Sequence, residues 1–188
     1  MLIFLDADGV LFSFNKSLFK LLNLNYNDEK LRNGLKNDYH FIEKLVGVKK
    51  YEQVVLDAKE GFWTHLEILP WAFDLYNGCC KTVGEENVYF LTSYGHFLDA
   101  PGPKVKRLLQ DFNSKRVFLA HDKFLLAGPG RVLIDDKPKN ITLFKEYGGI
   151  GELFPCEFLF LDGNFDVNLY LEKLFNKLKD FKNGLNKA

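Results

Sequence analysis

The chain has 188 residues, with 25 Lys+Arg against 25 Asp+Glu and a formal net charge of zero. That length bounds it to one domain, or one plus a modest insertion, and 47% apolar with 27% charged residues excludes disorder, collagen and coiled coil. The zero balance argues against a protein that coats nucleic acid or an anionic membrane through bulk charge. Cys79, Cys80 and Cys156 are odd in number with two adjacent, a poor disulfide framework that fits a reducing cytoplasm. No apolar stretch approaches the roughly 20 residues of a membrane span. Asp6 and Asp8 interrupt the opening apolar run before a signal-peptide core could form, so the chain reads as soluble, cytoplasmic and unexported.

In chain order, short apolar runs recur at Leu2 to Leu5, Val88 to Leu91, Val117 to Leu119, Val132 to Ile134 and Phe158 to Leu161. They are too brief for helices and too continuous for half-exposed strands, which suits strands buried on both faces of a parallel sheet. Helical spacing lies between them, as from Pro103 to Phe112 with Val105, Leu108, Leu109 and Phe112 on one stripe. A last helix is expected over Val167 to Phe181, stopped at Asn183-Gly184, and the lysines from Lys173 to Lys187 read as its solvated face. The alternation predicts a doubly wound α/β fold with a mainly parallel sheet.

The spacing is uneven, because a βαβ unit needs about 30 residues whereas residues 6 to 88 separate the first two runs. The segment from Ser13 to Glu67 reads as mostly helical and without a strong strand signal. We expect a small helical cap over residues 13–67, and a core domain of residues 1–12 and 68–188.

Ligands of open parallel sheets bind beyond the carboxyl ends of the strands, and those ends are polar here. The first run ends in Asp6-Ala7-Asp8-Gly9, the second in Thr92-Ser93 and the fourth in Asp135-Asp136. Four carboxylates brought together repel one another and resist ionisation, which a divalent cation resolves; an all-oxygen donor set favours Mg²⁺ over zinc. The four histidines are dispersed without metal-ligand spacing. Such a cluster supports phosphoryl chemistry: one carboxylate attacks phosphorus and a second, two residues on, protonates the leaving oxygen. Asp6 and Asp8 share a face of an extended chain, and Gly9 lets the backbone turn closely about a phosphate. Thr92 and Ser93 offer hydroxyls to phosphate oxygens, and Lys104, which competes with Lys106, offers positive charge from the start of its helix.

These segments, in this order, resemble the four motifs of the haloacid dehalogenase (HAD) superfamily of phosphatases. The resemblance implies Asp6 as nucleophile and Asp8 as general acid and then base. It implies Mg²⁺ held by the Asp6 carboxylate, the Asp8 backbone carbonyl and Asp135, with Asp136 orienting a metal-bound water. Within the superfamily, Phe62 to Pro70, His121-Asp122-Lys123 and Leu133 to Pro138 are similar to the 5′(3′)-deoxyribonucleotidases. That narrower resemblance implies a phosphate-binding Lys123 beside Lys104, a base pocket at Phe62 and Trp63, and a final apolar strand at Phe158 to Leu161. The chain departs from the family at Gly128-Pro129-Gly130-Arg131, where an acidic residue is usual.

The expected activity is Mg²⁺-dependent hydrolysis of a (deoxy)ribonucleoside monophosphate, a small-molecule phosphomonoester, through an aspartyl phosphate. Two alternatives remain open at this stage. One keeps the chemistry on a nucleic-acid terminal phosphate or another small metabolite; a strand would need a basic track, which Arg131, Lys137 and Lys139 could begin but zero net charge disfavours. The other is a catalytically silent binding domain with the same fold.

Overall fold

The computed structural model describes residues 1–185. Strands β1 (Leu2–Leu5), β4 (Val88–Thr92), β5 (Val117–Leu119), β6 (Arg131–Asp135) and β7 (Ile150–Leu153) form one parallel sheet in the order β5-β4-β1-β6-β7. Ile3, Leu5, Phe90, Leu133 and Ile134 are wholly inaccessible to solvent, as expected of strands covered on both faces. Helices α5 (Ala72–Val83), α6 (Pro101–Asp111), α7 (Pro138–Glu146), α8 (Glu157–Leu161) and α9 (Val167–Leu185) surround the sheet. This is the doubly wound α/β architecture expected from the alternation.

β1 is central, with β4 and β6 on either side. The carboxyl ends of all three therefore open into one crevice, the usual ligand position in such sheets. Leaving β1, the chain turns at Gly9, whose φ is +75°, and enters β2 (Phe12–Ser13), which pairs antiparallel with β3 (Glu67–Ile68). Between these two short strands lie α1 (Phe14–Leu21), α2 (Glu29–Asn37), α3 (Phe41–Val46) and α4 (Val48–Thr64). Ser13 caps α1 by accepting the Lys16 backbone N–H at 3.2 Å, and Asp28 caps α2 by accepting those of Lys30 and Leu31. The two-residue strands carry too little alternation to be seen in sequence.

Two expectations are corrected. Phe158 to Leu161 is not a strand: it lies in α8, with Phe158 and Phe160 buried and Leu161 40% exposed. A four-residue apolar run does not distinguish a buried strand from a helix segment, and the real edge strand β7 hides its signal behind Gly151 and Glu152. The last helix also runs through Asn183-Gly184 to Leu185, since one glycine costs a helix only about 1 kcal/mol. Lys187, expected on its solvated face, lies outside the described residues. No helix among the described residues is long and apolar enough to cross a membrane.

Candidate active site

β1 ends one residue before Asp6, whose side chain is pinned at once. Its Oδ1 accepts the Ala7 backbone N–H at 2.7 Å and pairs with Lys123 Nζ at 2.7 Å. Lys123 opens a short 3₁₀ turn after β5 and donates also to Asp135 Oδ2 at 2.6 Å. Burial opposes the charge of this 2%-exposed lysine, but Asp6 and Asp135 outweigh it and hold its pKa above the ordinary value. Asp135, at the end of β6, is fully buried: Oδ1 accepts the Lys137 N–H and the Asn140 amide, and Oδ2 accepts Lys123 and the same amide.

Asp136 turns the other way. It faces the cavity, lies against Gly9 so closely that a Cβ there would come 2.0 Å from its Oδ2, and its Oδ1 has no hydrogen-bond partner. Burial first, then Asp135 and Asp6, hold its carboxyl well above the usual range. Burial likewise pushes Asp6 up from 3.8 to about 6; Lys123 opposes this while Asp135 and Asp8 add to it.

The second lysine is set by α6. Pro101 and Pro103 start this helix, and one turn in, the buried Lys104 donates to Asp8 Oδ2 at 2.5 Å and to the Ser93 carbonyl at 2.6 Å. Its ammonium lies 4.9 Å from the centroid of the Trp63 ring, close enough for a cation–π contact. One turn further along α6, Arg107 donates to the Thr64 carbonyl at 2.5 Å. Helix α6 thereby holds the end of α4, and Trp63 with it, against the site.

Asp6, Asp8, Ser93, Lys123 and Asp136 all line one cavity of about 660 Å³ between the sheet edge and the helices of residues 14–64. Asp6, Asp135 and Asp136 each bring a carboxylate oxygen within 4.8 Å of the others, a cluster able to hold a metal ion. Its donor set fits a hard divalent cation: every ligand atom is oxygen, and Asp136, unlike Asp6, Asp8 and Asp135, has no lysine ion pair among the described residues. The buried Oδ1 atoms of Asp8 and Asp136 also lack partners.

No protein-family model matches the chain, and no curated protein matches it in sequence. Among solved structures it is similar to a phosphonoacetaldehyde hydrolase-like protein from Oleispira antarctica, with a TM-score of 0.51 at 10% identity, covering 94% of this chain and 84% of that one. It is similar to a dehalogenase with a TM-score of 0.51 at 12% identity, covering 93% and 95%. A HAD family enzyme from Bacteroides thetaiotaomicron, solved with magnesium and inorganic phosphate, gives 0.46 at 13% identity, covering 89% and 98%. The chain shares its fold with the phosphonoacetaldehyde hydrolase-like protein and the dehalogenase.

On this scaffold the remaining expected residues separate. Thr92 is wholly buried, makes only a 3.4 Å contact to the Ser93 carbonyl and does not line the cavity, so its hydroxyl is not offered to a ligand there. Asp135 was expected at the metal with Asp136 behind it; both belong to the carboxylate cluster, but Asp136 faces the cavity while the oxygens of Asp135 are bonded to Lys123, Lys137 and Asn140. Phe62 packs edge-on against Phe14 at 5.0 Å and Trp63 at 4.8 Å and does not reach the cavity, whereas Trp63 does.

Several lining residues escaped sequence reasoning. Asn140 orients Asp135 from the first turn of α7; its five-residue spacing from Asp135 was the one available signal. His121 meets Ser93 Oγ at 3.0 Å. Tyr39, Tyr51, Tyr94 and Phe97 bring aromatic surface, and Lys137 lies 5.2 Å from the Tyr39 ring. Glu157, 1% exposed, is pushed up by burial to about 7, offset in part by polar groups of Ser13, Asn15 and Tyr26.

Proposed function

We propose that the chain is a Mg²⁺-dependent phosphomonoesterase that converts a (deoxy)ribonucleoside monophosphate to nucleoside and phosphate through an aspartyl phosphate. One observation carries the chemistry: Asp6, Asp8 and Asp136 meet at a cavity floor with a buried ammonium on either side. Asp6, Asp136 and the Asp8 backbone carbonyl would hold the metal, with Asp135 setting their arrangement from behind. Bound there, Mg²⁺ would supply positive charge to the phosphate oxygens and hold the attack in line.

The residues divide the work by their existing bonds. Lys123 and the Ala7 N–H occupy Asp6 Oδ1, leaving Oδ2 as the oxygen that attacks phosphorus. As the phosphorus–ester bond breaks, Asp8 gives its proton to the leaving oxygen. It then takes one from the water that cleaves the acyl phosphate and regenerates Asp6. Lys104 fixes Asp8 through Oδ2, and Ser93 and Lys123 receive the phosphate oxygens.

The nucleotide rests on the cavity. Its size suits a small-molecule site, and its aromatic lining suits a base. Because one face of Trp63 is taken by Lys104 and Phe62 is in the core, base contact falls to Tyr39 and Tyr51. In this reading residues 13–67 are the cap over a core of residues 1–12 and 68–188.

The test is phosphate release from a panel of nucleoside 5′- and 3′-monophosphates and sugar phosphates, with Mg²⁺ and then with EDTA. Release from nucleotides that EDTA abolishes is expected. Metal-dependent release from sugar phosphates alone would overturn the nucleotide assignment, and full activity in Asp6→Asn would overturn the mechanism.

A further inference from the structure

Ser93 is held at both ends. Lys104 donates to its carbonyl at 2.6 Å, while its Oγ lies 3.1 Å from the Gly95 backbone nitrogen and 3.0 Å from His121 Nδ1. The turn that brings Gly95 back beneath Ser93 needs a left-handed residue, and Gly95 has φ +57°. The His121 ring is set by Tyr94, 4.7 Å away between centroids and inclined at 57°. Ser93 and His121 both line the cavity that holds the carboxylate cluster, and His121 is exposed.

A serine hydroxyl has one proton to give and two lone pairs to receive with. The Gly95 N–H fills the first lone pair, so the state of His121 Nδ1 decides the rest. If Nδ1 accepts, it takes the only hydroxyl proton and Ser93 presents a bare lone pair to the cavity, which repels a phosphate oxygen. If Nδ1 carries a proton and donates, both lone pairs are filled and the O–H is free to point at an anion. Only the second arrangement makes Ser93 a phosphate ligand.

We propose that His121 is a positioning residue for phosphate binding, its Nδ1–H locking the Ser93 hydroxyl as a donor into the cavity. This rests on the phosphatase reading above, in which Ser93 meets phosphate oxygens. His121 need not touch the phosphate itself. It acts through Ser93, so its effect disappears when the Ser93 hydroxyl is removed.

The experiment is a double-mutant cycle on the full chain, with inorganic phosphate as probe in Mg²⁺ buffer and affinity read by calorimetric titration. Ser93→Ala is expected to weaken phosphate binding about tenfold, as for loss of one hydrogen bond to a charged group. His121→Ala, which leaves the hydroxyl free but undirected, should weaken it about threefold. The Ser93→Ala/His121→Ala double variant should bind no more weakly than Ser93→Ala alone. His121→Asn, whose amide N–H can stand where Nδ1–H stood, should restore affinity to within about twofold. Additive losses in the double variant, or His121→Asn as weak as His121→Ala, would overturn the positioning role alone. Unchanged affinity in Ser93→Ala would remove Ser93 from the phosphate site, and no phosphate binding by the unaltered chain would count against the phosphatase reading itself.

Discussion

Asp6→Asn separates the catalytic from the structural consequences of one carboxylate. Burial and the neighbouring carboxylates raise Asp6 from 3.8 to about 6 despite Lys123. Between pH 3.8 and about 6 the folded chain therefore keeps a proton that the unfolded chain releases, and stability falls as pH rises through that window. Each unit of displacement is about 1.4 kcal/mol, so an ionised Asp6 costs about 3 kcal/mol at pH 8 in metal-free buffer. Asparagine removes that charge, yet its amide oxygen can still accept from Lys123 and the Ala7 N–H. The variant should be inactive and, in EDTA at pH 8, more stable than the parent by up to about 3 kcal/mol, the gain vanishing near pH 4. Urea unfolding of both proteins across pH 4 to 8, beside phosphate release, measures both effects. A pH-independent difference, or a variant less stable at pH 8, would refute the electrostatic account.

The opposite outcome is expected for Lys123→Met, which leaves Asp6 and Asp135 buried without their shared cation; a loss of about 3–5 kcal/mol in urea unfolding is expected. Glu157→Gln should mirror Asp6→Asn at another wall of the same cavity. Its carboxyl is raised from 4.5 to about 7, so the variant should gain about 3 kcal/mol at pH 8 and nothing below about pH 4.5, read by the same titration. Gly9→Ala combines a φ of +75° with a Cβ placed 2.0 Å from Asp136 Oδ2. Thermal unfolding should show a loss of about 1–3 kcal/mol or more, and phosphate release should fall with it as Asp136 is displaced.

The parallel sheet was legible because its central strands are continuous apolar runs, and each expected run from β1 to β6 lies within an observed strand. Reading failed where composition and geometry part. Phe158 to Leu161 has a strand's composition but packs as a helix, whereas β7 contains Gly151 and Glu152 and pairs only because β6 offers it an edge. The acidic positions could be named because strand ends are where a sheet exposes side chains to a ligand. Of the two adjacent aspartates the resemblance put Asp135 at the metal, whereas Asp136 is the one that faces the cavity; one step along the backbone reverses the facing of a side chain.

The zero net charge resolves, from the sequence alone, into Asp6, Asp8, Asp135 and Asp136 set against Mg²⁺, Lys104 and Lys123. Those residue types and their order are local properties, fixed by strand ends and turn chemistry. Only the tertiary structure decided which charges meet: Lys123 between Asp6 and Asp135, Lys104 between Asp8 and the Trp63 ring, and Asp136 on the cavity. It also divided the aromatic residues, sending Phe62 to the core and Trp63 to the site, and brought His121 to Ser93. Most of these pairings join segments far apart in the chain, and their contacts are set by how helices and loops pack about a sheet, which no local pattern encodes.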